Sequence, residues 1–358
     1  MKILHRDVYI IGETACHHEG DIDYLYKMVD DVAEIGLNAV KFHSLLNPDS
    51  YMQSNHPLIQ EIKKWTFSRK QWGEIIEYSN KKHLDVIVLC NDVESLEHIN
   101  KDGLHVSAVE VHSSGLNDYF LLKEAVNFHG TVILGVGGST MEEVEYACNL
   151  LKENSKCDIF LMYGFQSYPT SYADINLAKM LKIKDLFELP VGYADHTAYD
   201  DPNNEIVSCM AAMMGINVLE KHYTPDFGKE RIDFHSAVGK TQMLRIKELM
   251  SLALMVRGDG SPGMSEPELK YGNTGPIKKA IVAKKSIKKG EKLSLDNLWF
   301  KRTEEESSLK QNMFLPLIGL ETTRDIENDE IIDFSKVKHD FKRRETSDFT
   351  HIGKKESN

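Results

Sequence analysis

One apolar run, "AAMMGINVL" (211–219), ends abruptly in Glu220, Lys221 and His222. The same change of character recurs along the chain. Glu13 closes "VYIIGETA" (8–15), Lys41 and His43 close "NAVKFHS" (38–44), Glu110 and His112 close "HVSAVEVH" (105–112), and Asp195 and His196 close "LPVGYADH" (189–196). Two histidines at the ends of neighbouring strands can converge on one divalent cation, since imidazole suits Mn, Zn, Fe or Co. The competing reading of His196 and His222 is a pair of satisfied structural histidines, because 15 histidines make chance pairs easy. Glu13 is a candidate general base or a partner for a sugar hydroxyl. Lys41 is either an anchor for a carboxylate or phosphate or a rim lysine in a salt bridge. Asp233, in "RIDFHS" (231–236), either holds sugar hydroxyl or amide groups or is a turn carboxylate. His17 and His18, in "GETACHHEGD" (12–21), read as a solvated loop.

These residues need a frame that brings strand ends together. Short β-branched runs also occur at 85–90, 131–137, 157–164 and 217–224, making eight, and amphipathic helical patterns such as "MEEVEYACNLLKE" separate most of them. Doubly apolar strands alternating with helices indicate a parallel sheet. Eight of them fit a closed (β/α)8 TIM barrel, which takes about 250 residues. The rival is an open doubly wound sheet with a Gly-rich first turn, and "GETACHHEG" lacks the G-x-G-x-x-G pattern. In a barrel the C-terminal strand ends form the active face. The ionisable endings then emerge at its mouth, and buried without partners they would be too costly.

The barrel is expected over 1–256. A Gly/Pro/Ser-rich linker follows at 257–275, then a small β-rich domain with "KKGE" and "ENDE" turns at 276–338, and a polar tail at 339–358. The formal net charge of −12 among 358 residues argues against nucleic-acid or anionic-membrane binding. The five cysteines are odd in number and widely spaced, which points to buried thiols in a reducing cytoplasm. The opening "MKILHRDVYIIGE" is charged too early for a signal peptide, and no apolar run approaches the roughly 18 residues of a membrane span. Met210, Met213 and Met214 read as core residues, and "KKSIKKGEK" as a solvated turn.

Taken in order, "IGETACHHEGD", "AVKFH", "NDVESL", "YPT", "GYADHT", "LEKHYT" and "RIDFHS" resemble the sialic acid (nonulosonic acid) synthase family. "KKSIKKGEKLSLDNLWFKR" and "LIGLETTRDIENDEII" resemble that family's antifreeze-like (SAF, β-clip) domain. The resemblance implies a metal-dependent condensation of phosphoenolpyruvate with an open-chain N-acylated hexosamine, for surface polysaccharide biosynthesis. It implies His196 and His222 as ligands of Mn2+ or Mg2+, and Glu13 and Glu220 as catalytic carboxylates. Lys41 would bind phosphoenolpyruvate, Tyr168 and Asp233 the sugar, with His43, Ser113 and Lys221 as further substrate contacts. Arg302 would be delivered by a partner subunit, giving a domain-swapped homodimer.

The departures from the family pattern gather at the expected phosphate cradle. Leu89, Glu110, Gly135, Gln166 and Ala194 stand where the family has threonine, lysine, serine, asparagine and serine, and His43 where a glutamine is frequent. Glu110 for lysine is the largest change, and it calls for neutralisation, with Lys221, Arg231 or a histidine as the expected partner. The alternatives are an aldolase or lyase that has lost phosphoenolpyruvate, or a non-catalytic sugar-binding homologue.

Overall fold

The computed structural model describes residues 8–154, 157–165, 167 and 170–339. The chain divides into two compact units, Met1–Gly260 and Ser261–Asn358.

In the first unit eight parallel strands close into a barrel in chain order: β1 (Tyr9–Glu13), β2 (Ala39–Ser44), β3 (Asp85–Cys90), β4 (Ala108–Val111), β5 (Thr131–Gly135), β6 (Asp158–Tyr163), β7 (Val191–Asp195) and β8 (Val218–His222). The register of β1 on β8 sets Glu13 opposite His222. That of β7 on β8 sets Asp195 opposite Lys221. Strand alternation then sorts the side chains. Tyr9, Ile11, Ala39, Ile87, Ala108, Ile133, Phe160, Met162, Ala194 and Val218 fill the barrel interior as one apolar cluster. Their odd-numbered or even-numbered neighbours face the helices in a larger shell.

The helices begin and end where local chemistry requires. Ile22–Ile35 starts at Asp21, whose carboxylate accepts from Asp23 and Tyr24 N–H, and stops at Gly36 in the left-handed region. Arg69–Lys81 opens on a Ser68/Gln71 capping box. Met210 and Met213 are not core, contrary to the sequence expectation: both are 48% exposed, and Met214 is only partly buried. On the helix Asn204–Met213, Val207, Ala211 and Ala212 take the inward face, and the spacing of the methionines turns them outward.

Residues 257–275 are not featureless. A helix at Glu266–Tyr271 starts on a Ser265/Glu268 capping box. In the second unit β9 (Ala280–Ala283) and β10 (Leu298–Lys301) pair antiparallel. Bridges such as Ile287–Ile326 and Thr322–Val337 add further pairing, and Ile281, Ile287, Leu293, Leu298, Ile326 and Ile332 form a separate apolar core. Residues 340–358, most of the expected polar tail, lie outside the described residues.

Candidate active site

The inward stripe that is apolar at mid-barrel becomes ionisable one step further along the strands. Glu13, Lys41, Glu110 and Glu220 are each no more than 3% exposed, and all line a cavity of about 510 Å3 at the strand C-termini. The Lys41 ammonium sits among three carboxylates: 2.8 Å from Glu110 Oε2, 2.8 Å from Glu220 Oε1 and 3.3 Å from Glu13 Oε1. Glu13 carries the network onward. Its Oε1 lies 2.6 Å from His43 Nε2 and its Oε2 lies 3.0 Å from His222 Nε2. The His196 and His222 rings pack edge to face with centroids 5.1 Å apart, and His17 approaches His222 at 5.8 Å.

Charge is divided unevenly over this cluster. Burial pushes the Glu13 carboxyl up, but Lys41, His222 and His43 outweigh it and hold the group well below the usual carboxylate range. Burial, then repulsion from Glu13, lifts Glu220 well above that range despite Lys41. Burial also raises Glu110 against the pull of Lys41. Burial alone would lower Lys41, yet its three carboxylates keep it firmly charged. Four buried titratable groups with one cation cannot all ionise at once, so Glu13 carries the charge and Glu220 the proton. Burial and the neighbouring His222 hold His196 down to about 3, which leaves a neutral imidazole.

Lys221 belongs to the other face of β8. It is fully buried, and its Nζ lies 2.7 Å from Asp195 Oδ2. Asp195 also accepts from Thr197 N–H, Thr197 Oγ1–H, Tyr193 O–H and Ser208 O–H. This buried ion pair ties the ends of β7 and β8 together from behind, next to His196 and His222. Lys221 is therefore not a substrate contact as expected, since alternation points Glu220 and His222 inward and Lys221 outward. It does not neutralise Glu110 either, and nor does Arg231, which donates to the His17 carbonyl and Glu19. Lys41 fills that role.

The other expected residues are placed as follows. Glu13, Lys41, His43, Ser113, His196, Glu220 and Asp233 line the one cavity. Asp233 stands at a positive φ of 63° in the loop after β8. Tyr168 and Gln166 lie outside the described residues. Arg302 belongs to the second unit, where its guanidinium donates to the Pro276 carbonyl. His17 and His18 are not solvated, at 0% and 2% exposed. The segment after β1 folds inward, and His18 joins the cavity wall. Sequence reasoning also missed Tyr51 and Trp65, which follow β2, and His112, which follows β4, as cavity residues. The first two end the short helices Pro48–Tyr51 and Ile59–Trp65, whereas His112 was visible as a strand ending.

Opposite Lys41 the wall is nearly bare backbone, at Gly135, Gly137, Gly138, Gly164 and Ala194. A Cβ on Gly137 would lie 1.8 Å from the Gly164 carbonyl oxygen, and one on Gly164 would lie 2.0 Å from that of Ala194, so β5, β6 and β7 can approach this closely only as glycines.

Glu13, His196 and His222 each offer one donor atom, and these lie within 4.8 Å of one another with all three residues buried. His196 Nδ1 is buried with no hydrogen-bond partner. One carboxylate and two imidazoles, with a ring nitrogen left over, fit a divalent transition-metal ion. Glu13 enters this set because β1 closes the barrel against β8, a pairing that strand order alone does not display.

Fold and site together define a (β/α)8 enzyme with a candidate metal centre beside a buried lysine–carboxylate cluster. The model of the NeuB family matches residues 28–261, and the chain belongs to that family; the SAF domain model matches residues 278–338. The chain is 30% identical over 326 residues to an uncharacterised protein of Methanocaldococcus jannaschii, covering 90% of this chain and 93% of that one. It is 29% identical over 339 residues to the N,N'-diacetyllegionaminic acid synthase of Campylobacter jejuni, covering 90% and 98%. The crystal structure of the N-acetylneuraminic acid (sialic acid) synthetase from Leptospira borgpetersenii in complex with citrate superposes with a TM-score of 0.68 at 25% identity, over 74% of this chain and 90% of that one. Among the described residues no helix is long and apolar enough to cross a membrane.

Proposed function

We propose that this enzyme condenses phosphoenolpyruvate with an open-chain N-acylated hexosamine to give a nonulosonic acid for surface polysaccharides, in the cytoplasm. The observation that carries the reading is the buried Glu13–His196–His222 donor set, of which Glu13 and His196 line the cavity together with Glu220. It is supported by relatives that are named legionaminic, pseudaminic and neuraminate-type synthases.

Glu13, His196 and His222 would hold Mn2+, or less readily Mg2+, because two imidazoles favour the softer ion. Such a cation, when bound, supplies Lewis-acid polarisation of the sugar carbonyl. The chain's own groups do the rest. The C3 carbon of phosphoenolpyruvate forms a bond to the carbonyl carbon, Glu220 donates its proton to the oxygen that becomes a hydroxyl, water adds at C2 and returns one proton to Glu220, and the C2–O bond to phosphate breaks as the new C2 hydroxyl passes its proton to the departing phosphate, which leaves the keto acid. His43 holds Glu13 in place, and Ser113 and Asp233 offer hydrogen bonds to the substrates. Arg302 serves the sugar's acyl end from a second subunit in a homodimer; light scattering that shows a monomer at assay concentration would remove that element.

A lyase acting on a related sugar is the second reading, and one observation favours it: Lys41 is already engaged by three carboxylates. Incubating the protein with phosphoenolpyruvate, Mn2+ and a panel of N-acylhexosamines separates the two. The synthase reading expects phosphate and α-keto acid in equal amounts with at least one sugar. Release of neither across the panel would sink it.

A further inference from the structure

Lys41 is the only lysine or arginine among the described residues that line the cavity, whose wall also carries the carboxylates of Glu13, Glu110, Glu220 and Asp233. Its ammonium is within 3.3 Å of three of them. A phosphate or carboxylate entering the cavity therefore meets a lysine already engaged by three carboxylates. Two of the three belong with the candidate metal set, Glu13 as a donor and Glu220 two residues before His222 on β8. Glu110 does not. It stands on β4 beside Gly135, where a Cβ would come within 3.6 Å of Glu110 Oε1 and 3.0 Å of Ser113 N. Glu110 Oε2 faces the Lys41 ammonium at 2.8 Å.

We infer that Glu110 is a specificity-determining residue: by holding Lys41 it keeps the metal-free cavity closed to anionic substrates, so that phosphoenolpyruvate is captured only after a divalent cation is in place. The order of events follows from charge. Without the cation the cavity offers an anion no unpaired positive charge. With a cation on Glu13, His196 and His222, the anion has a positive centre to approach. A carboxylate at this position thus works as a gate against unproductive anion binding. The inference rests on the synthase reading only in taking phosphoenolpyruvate as the anion.

The test is calorimetric titration of phosphoenolpyruvate, without sugar so that no turnover occurs, into wild type and Glu110→Gln, each stripped with EDTA and each reloaded with Mn2+. The stripped wild type is expected to bind at least ten-fold more weakly than the loaded one. Stripped Glu110→Gln is expected to bind at least ten-fold more tightly than stripped wild type, because the amide removes one of the three carboxylates that hold Lys41. Stripped wild type binding within three-fold of the loaded protein overturns the inference, and so does Glu110→Gln binding no better than wild type. If Glu110→Gln does not fold, Glu110→Ser takes its place, and the comparison of the two wild-type forms decides alone if neither variant folds. Phosphoenolpyruvate that never binds the wild type, even with Mn2+, overturns the inference as well, and absence of binding to every form also removes the synthase reading.

Discussion

Lys41→Met removes the one ammonium from a buried nest of carboxylates and leaves the volume nearly filled. At an effective dielectric of about 20, a unit pair at the 2.8 Å separation of Lys41 and Glu110 attracts by about 6 kcal/mol. That figure cannot be multiplied by three, because Glu110 and Glu220 are already biased toward their neutral forms. What remains is the cost of an uncompensated Glu13 carboxylate, about 3–5 kcal/mol when a buried pair loses one member. A barrel of this size then loses roughly 10 °C in Tm at pH 7. The pH dependence has a definite sign. Glu13 is held below its ordinary value in the fold, so its stabilising contribution is present above the ordinary carboxylate range near 4.5 and fades as pH falls through it. Without Lys41 the same carboxyl is pushed up by burial and takes a proton in the folded state, so the variant's deficit shrinks between pH 7 and 4.5. The assay is thermal unfolding in EDTA at several pH values, followed through Trp72, which is 2% exposed in the barrel shell. A loss below 2 °C at pH 7, or a deficit that grows on acidification, would refute the reasoning.

Lys221→Met should cost about 3–5 kcal/mol through the orphaned Asp195, and should weaken Mn2+ binding as β7 and β8 lose their tie; unchanged metal affinity by calorimetry would limit the pair to a stabilising role. Acidification from pH 7 to 5.5 should destabilise the metal-free barrel by about 1 kcal/mol per buried neutral histidine. His17 and His196 are held down to about 3, and His18 and His112 to about 4, chiefly by burial, so the stability they confer is present above the ordinary 6.5 and lost as pH falls below it. Tm against pH checks this, and a flat profile over that range contradicts it.

The barrel was legible because each strand announces itself by an apolar run and each mouth residue by an ionisable ending, and all eight runs became strands. His196 and His222 were legible for the same reason. What the pattern could not carry was the direction of each side chain around the ring. Lys221 and Glu220 are neighbours in sequence, yet one faces the helices and the other the cavity, and only the closed register decides which. Glu13 as a third donor depends on β1 meeting β8, a contact between residues more than 200 apart in the chain. The burial of His17 and His18 arises from an irregular loop with Ala15 and Glu19 at positive φ, for which periodicity has no signal. The grip on Lys41 needed four strands, β1, β2, β4 and β8, to be placed before any charge could be assigned.

The most direct measurement is anomalous scattering at the Mn edge from crystals of the full chain grown with Mn2+, compared with His222→Ala crystals treated alike. The account predicts one strong peak in the wild type, about 2.0–2.2 Å from a carboxylate oxygen of Glu13 and from one ring nitrogen each of His196 and His222, and its loss in the variant. A peak on Glu110 or Glu220 instead, or one that survives His222→Ala unchanged, would contradict it.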